Sequence, residues 1–175
     1  MLSLEYLLLE SDRLWLRPIE MKDADNIYQH FTQEITKYMF PNPNANVLET
    51  EGFIRTCIIK RRKLEDLVMT IISKDTYEFI GLVGIHSLHT SSPELGIWIK
   101  KEAFHQGFGK EAIETMIETF NELREVDYYV YPVDSRNISS QKLVLALGGQ
   151  YVSHEQKIVD SNKILEIDTY HIYQN

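Results

Sequence analysis

The order of short apolar segments along this chain predicts an α/β fold of the α+β kind, with one mixed central sheet flanked by helices. Three observations carry that reading. Strand-like and helix-like hydrophobic periods follow one another from residue 13 onward, the last two strand-like runs close as a hairpin, and no Pro-, Gly- or Ser-rich stretch is long enough to divide the chain. At 175 residues and 43% hydrophobic composition, residues 1–175 can bury one substantial core, so they are read as a single domain.

Taken in order, residues 13–19 alternate Leu14 and Leu16 with Trp15 and Arg17 and stop at Pro18, which predicts a first strand. Residues 21–31 place Ala24, Ile27, Tyr28 and Phe31 on one helical face, and residues 47–63 form a second helix after the loop Pro41-Asn42-Pro43-Asn44. Residues 67–73 and 79–88 read as a hairpin around Lys74-Asp75-Thr76-Tyr77, and residues 94–99 as the next strand. Phe108, Ala112, Ile113, Met116, Ile117, Phe120 and Leu123 recur at helical spacing. A strand over 127–133 then leads to a helix capped by Asn137 and stopped at Gly148 or Gly149. Residues 151–159 and 164–173 pair around Asp160-Ser161-Asn162.

The segment ELGIWIKKEAFHQGFGKEAIETM, residues 94–116, carries the most chemistry. A strand runs into a loop holding Gly107 and Gly109, and the loop into a helix whose first N–H groups have no partner within the helix. Free backbone donors and the positive end of the helix dipole suit an anion such as a phosphate. A mononucleotide P-loop would need Ser or Thr after Gly109-Lys110, where Glu111 stands, and a dinucleotide fingerprint would need a third glycine near the start of its domain.

Gln106-Gly107-Phe108-Gly109-Lys110-Glu111-Ala112 instead resembles the pyrophosphate-binding motif Gln/Arg-x-x-Gly-x-Gly/Ala of the GCN5-related N-acetyltransferases. Glu111 departs from that pattern, in a form that looks like the branch of ribosomal-protein N-terminal acetyltransferases. Residues 134–149 are similar to the family's second cofactor element, in which an Asn caps a helix and a Ser follows three residues on, here Asn137 and Ser140. The resemblance implies the acyl-CoA N-acyltransferase fold, with a mostly antiparallel sheet. It implies transfer of the acetyl group of acetyl-CoA to a primary amine by direct attack. It places Trp98, Ile99 and Lys100 on the pantetheine arm, Gln106, Gly107, Phe108, Gly109 and Lys110 on the pyrophosphate, and Asn137 and Ser140 on the cofactor as well. The Gly107 and Gly109 positions are expected to let the ligand approach the backbone.

For catalysis, the resemblance makes Glu94, at the head of the cofactor strand, the candidate base and Ser140 the candidate partner of the leaving thiolate. His86 and His89 are alternative bases, because histidine changes charge closest to neutral pH. Tyr131 is a further candidate acid whose face the run Tyr128-Tyr129-Val130-Tyr131 leaves open. The resemblance also implies an acceptor wall built from residues 38–46 and the neighbourhood of 153–160. The acceptor is either a protein N-terminus or a small molecule, and the resemblance leaves room for a homodimer.

Composition excludes other classes. A net charge of -8 argues against nucleic acid and anionic membrane surfaces. The basic run Lys60-Arg61-Arg62-Lys63 reads as a polar helix end complementing the dipole. Cys57, the only cysteine, excludes an internal disulfide and reads as a buried structural thiol. No segment has metal-ligand spacing, so no metal is expected. Leu7-Leu8-Leu9 is too short for a signal h-region and no run approaches a membrane span, so the expected location is cytoplasmic. Two rival readings stand beside the enzyme: a non-catalytic acyl-CoA-binding regulatory module, and a nucleotide-binding phosphotransferase, which the residue after Lys110 disfavours.

Overall fold

In the computed structural model, which describes residues 3–160 and 162–174, eight strands form one sheet. They are β1 (Leu9–Glu10), β2 (Leu14–Pro18), β3 (Leu67–Ser73), β4 (Phe79–His86), β5 (Glu94–Ile99), β6 (Tyr128–Asp134), β7 (Gln150–Asp160) and β8 (Lys163–Tyr173), in the spatial order β1-β2-β3-β4-β5-β6-β8-β7. Every neighbouring pair is antiparallel except β5 and β6. The helices are α1 (Ala24–His30), α2 (Gln33–Thr36), α3 (Val47–Arg62), α4 (Phe108–Leu123) and α5 (Ile138–Ala146). The sheet is thus mixed and mostly antiparallel with flanking helices, as the element order predicts. Ser161, in the expected closing turn, lies outside the described residues.

Strand alternation sends side chains to two faces, and each face has its own helices. On one, Leu14, Leu16, Met69, Ile71, Val83, Ile85 and Leu95 pack with Ala112, Ile113, Met116 and Phe120, the apolar stripe of α4. On the other, Val68, Leu82 and Phe79 pack with Ile27 of α1 and with Ile54 and Cys57 of α3. Helix α3 starts where the Asn46 Oδ1 accepts the Glu49 N–H at 3.0 Å, and α5 where the Asn137 Oδ1 accepts the Ser140 N–H at 3.2 Å. Gly148, with φ of 79°, ends α5 in the left-handed region.

Several boundaries differ from the sequence reading for identifiable reasons. The helix expected over 21–31 is a 3-10 turn, Met21–Asp23, running into α1. The Asp23 carboxylate causes this, accepting the Glu20 N–H at 2.9 Å, Arg17 at 2.6 Å and the Thr70 hydroxyl at 2.8 Å from a buried position. β4 stops at His86 because Ser87 turns to φ 58° and donates its N–H to the Asp66 Oδ1 at 3.0 Å. The basic run at the end of α3 is not simply a solvated end. Arg61 is buried, donating to the Ile19 carbonyl and to the Glu5 Oε2, both at 2.9 Å.

The pairing of β5 with β6 is confined to Glu94 opposite Val130. The Val130 N–H donates to the Pro93 carbonyl at 2.9 Å. In a parallel ladder the next donor on that edge belongs two residues on, to Pro132, which has no N–H. β6 keeps its ladder with β8 on the other edge, so beyond this one rung β5 and β6 part.

Ile113, fully buried between α4 and the sheet, reports on this packing. Ile113→Ala is expected to lower the unfolding free energy by about 2–5 kcal/mol in urea titrations followed by circular dichroism.

Candidate functional site

The parting of β5 from β6 leaves one edge of β5 without a strand partner. Lys100 donates its N–H to the Ile80 carbonyl of β4 at 2.8 Å, so by alternation Trp98 and Lys100 face β4 while the amides of Ile97 and Ile99 face the gap. An extended ligand bearing amides can add to such an edge as a strand would. Of the three residues expected to hold the pantetheine arm, only Ile99 therefore offers backbone groups to the gap, and Ile97 joins it. The Trp98 side chain packs with Phe31 and Phe79 at centroid distances of 5.0 and 5.7 Å, and the Lys100 ammonium lies 3.8 Å from Glu78.

At its far end this edge leads to the glycine loop. Gly107 is the N-cap of α4 with φ of 77°, a conformation only glycine adopts without strain. Its carbonyl accepts the Glu111 N–H at 3.2 Å, which leaves the N–H groups of Phe108, Gly109 and Lys110 without intrahelical acceptors. Gly109 also has a packing use. A Cβ there would lie 2.8 Å from the Leu143 Cδ1 of α5 and 3.6 Å from the Ile97 Cδ1, so its missing side chain lets α4 seat against α5 and β5. The Lys110 ammonium pairs with Glu114 at 2.8 Å on the exposed face, leaving its backbone N–H as what the loop presents.

Glu111, the departure from the glycine motif, turns out to anchor the loop. Its carboxylate accepts the Ser11 hydroxyl at 2.6 Å, the Arg13 N–H at 2.9 Å and the Arg13 Nε at 2.7 Å. Arg13 in turn donates from Nη1 to the Gln106 carbonyl at 2.9 Å and lies 4.5 Å over the Phe108 ring. Burial alone would raise the Glu111 carboxyl, but the hydrogen bonds from Ser11 and Arg13 and the guanidinium charge hold it below its ordinary value of 4.5. Sequence reading missed Arg13, whose partner is 98 residues away.

The gap opens into a cavity of about 680 Å³ reached from both halves of the sheet. Glu94, Ile97, Trp98, Tyr131, Asn137 and Ser140 all line it. So do Tyr38, Phe40 and Asn44 from the expected acceptor loop, and Lys157 and Val159 of β7. The loop is fastened across the gap: the Lys163 ammonium donates to the Thr36 carbonyl at 2.7 Å and to the Asn42 Oδ1 at 2.9 Å, and the Arg136 guanidinium lies 4.9 Å over the Tyr38 ring.

Ser140 and Tyr131 meet at 2.9 Å between their oxygens, which settles the face of Tyr131. Burial pushes the Tyr131 phenol up to about 12, so it stays protonated and can direct its hydrogen to Ser140, freeing the Ser140 hydrogen for the cavity. On the α3 side the floor is a ladder of registered pairs: Leu82 with Trp98, Gly84 with Gly96, and His86 with Glu94. Glu94 is exposed to the cavity and forms no ion pair among the described residues. His86 lines the same cavity, whereas His89 does not. Cys57 also reaches it, but burial pushes its thiol up to about 12, which keeps it from acting as a thiolate nucleophile near neutral pH. Among the described residues no three His, Cys, Asp or Glu side chains are grouped to hold a metal, and no helix is long and apolar enough to cross a membrane.

Residues 13–150 match the family model described as acetyltransferase (GNAT) domain. An uncharacterized N-acetyltransferase of Bacillus licheniformis is 31% identical over 150 residues, covering 81% of this chain and 82% of its own. The solved structure of RimL, a ribosomal-protein α-N-acetyltransferase in complex with coenzyme A, superposes with a TM-score of 0.86 at 11% identity, over 95% of this chain and 98% of that one. An acetyltransferase of Salmonella typhimurium that modifies the N-terminal serine of a ribosomal-subunit protein gives a TM-score of 0.83 at 12% identity, over 97% and 100%.

The anchor at Glu111 has a pH signature. A carboxyl held low in the folded state contributes its stabilisation fully above its unfolded value, here 4.5, and loses it as pH falls through the lower folded value. Glu111→Gln is therefore expected to flatten the acid side of the melting-temperature profile between about pH 5 and pH 3. In calorimetry at neutral pH, the same variant is expected to bind CoA roughly tenfold more weakly, because the loop loses its fixed geometry.

Proposed function

Since the chain belongs to the GNAT acetyltransferase family, we propose that it transfers the acetyl group of acetyl-CoA to the nitrogen of a primary amine, as one catalytic domain. The observation that carries the reading is the continuity of three features: an amide-bearing edge of β5, a helix N-terminus of free N–H groups, and a cavity that both run into. The pantetheine arm would pair with Ile97 and Ile99, and the pyrophosphate would rest on residues 107–110, within a loop fastened by Arg13 and Glu111. The thioester would then lie in the gap within reach of Ser140.

A thioester is already activated, so the protein has only to orient the amine, take its proton and stabilise the leaving thiolate. Glu94 is the cavity carboxylate placed to draw in an ammonium group. Ser140, with Tyr131 behind it, donates toward the thiolate as the C–S bond breaks. The acceptor is a peptide N-terminus or a small-molecule amine; RimL supports the first by its own acceptor, and the aromatic wall of Phe31, Phe40 and Phe53 supports the second.

Calorimetry with CoA, followed by a free-thiol assay over a panel of 2-phenylethylamine, spermidine and seryl and alanyl peptides, tests this reading. Tight CoA binding with thiol release on at least one amine is expected. CoA binding with no transfer to any amine would instead indicate the non-catalytic acyl-CoA module. Ser140→Ala is expected to lower turnover at least tenfold while CoA affinity stays within about threefold, because its hydrogen bond strengthens only as the thiolate forms. A loss of affinity with unchanged turnover would make Ser140 a cofactor anchor.

A further inference from the structure

His86 sits in an unusually prepared place. Its Nδ1 is 3.2 Å from the Asp66 Oδ2, at the turn between α3 and β3, and Asp66 is buried. The same carboxylate accepts the Lys60 ammonium at 2.9 Å and the Ser87 N–H at 3.0 Å. Burial raises the Asp66 carboxyl, but those donors and His86 itself bring it below the ordinary carboxylate range, so it stays charged. An ionised acceptor at Nδ1 fixes the proton there and leaves the Nε2 lone pair pointing away.

What Nε2 points over is made by absence. Gly84 and Gly96 are registered partners on β4 and β5, and a Cβ on Gly84 would come within 2.8 Å of the His86 Nε2, one on Gly96 within 3.7 Å. Two missing side chains thus make room for the imidazole to lie over the strand pair at the cavity wall, between Trp98 on one side and Glu94 on the other. No hydrogen-bond donor or acceptor among the described residues meets the His86 Nε2.

We propose that His86, positioned by Asp66, is the group that takes the proton from the acceptor amine, while Glu94 attracts the cation without serving as the base. The inference rests on the acetyl-transfer reading and moves the base from the carboxylate where the sequence placed it to the imidazole beside it. The ammonium gives one proton to the His86 Nε2, and His86 passes it to solvent. The freed lone pair attacks the thioester carbonyl carbon, forming the C–N bond and a tetrahedral intermediate, whose collapse breaks the C–S bond. The second proton lost by nitrogen ends on the CoA thiolate, so one ammonium and one acetyl-CoA give one amide, one CoA thiol and one proton. His86 lies against the Asp66 carboxylate, with Lys60 beyond it, and opposite Glu94 across the strand pair.

The test uses the full chain, acetyl-CoA, and the amine of the panel above that is turned over fastest. His86→Gln is expected to lower kcat about a hundredfold or more, with amine KM within about threefold. Glu94→Gln is expected to raise amine KM more than it lowers kcat. His86→Ala leaves a hollow open to a small base, so free imidazole should restore its turnover saturably, which a structural histidine would not allow. Asp66→Asn should fall between wild type and His86→Gln in kcat. CoA affinity by calorimetry should stay at the wild-type value in all four variants, which separates chemistry from folding. A His86→Gln enzyme within about twofold of wild-type kcat would overturn the proposal, as would an imidazole-insensitive His86→Ala that still binds CoA normally. A wild-type chain that acetylates no amine would overturn the transfer reading first, and this inference with it.

Discussion

The site depends on the failure of two neighbouring strands to stay together. β5 and β6 make one parallel rung, at Glu94 and Val130, and the next donor on that edge would be a proline. A broken ladder inside a sheet ordinarily leaves costly unpaired groups. Here it leaves them facing a gap where a ligand can pair with them. β6 is held on its far side by β8 and β5 by β4, so the gap stays open between two intact half-sheets instead of collapsing. The same parting brings α4 and α5 end-on to the gap, with Gly109 small enough for the two helices to meet against Ile97.

Around that gap the protein spends charge where it fixes geometry. Arg13 and Glu111 join the first long strand to the start of α4 and set the Gln106 carbonyl, so the glycine loop is held from outside by residues that need not touch a ligand. On the opposite rim Lys163 and Arg136 fasten the 36–44 segment to the second half-sheet, giving the cavity a wall that spans the parting. Exposed ion pairs contribute little to stability by themselves. Their effect here is orientation, since each fixes the chain at a point bordering the cavity.

Much of this was legible from sequence because period and punctuation are local properties. The amphipathic stripe of α4, the Asn137 cap, the glycine turn and the alternation of β2 all appear in the structure at or near their predicted bounds. What was not legible came from distance. Glu111 looked like a flaw in a glycine motif until its partner, almost a hundred residues earlier, was in place. His86 and Asp66 lie twenty residues apart in the chain and meet only where the β3–β4 hairpin brings its two open ends together, and Gly84 and Gly96 gain meaning only when register sets them side by side. Pro132 is the one local signal of the parting, since a proline within a strand marks an edge or a break. Gly109 has a packing use that only the tertiary structure reveals, since its missing side chain makes room for Leu143.

Hydrogen exchange at individual amides of β5, with and without saturating CoA, tests the central claim most directly. Ile97 and Ile99 face the gap without a strand partner, whereas Lys100 already donates to Ile80. The account predicts marked slowing at Ile97 and Ile99 when CoA binds, together with slowing at Phe108, Gly109 and Lys110, and little change at Trp98 and Lys100. Unchanged exchange at Ile97 and Ile99 under saturating CoA would contradict it, because the cofactor would then not be lying along the open edge of β5.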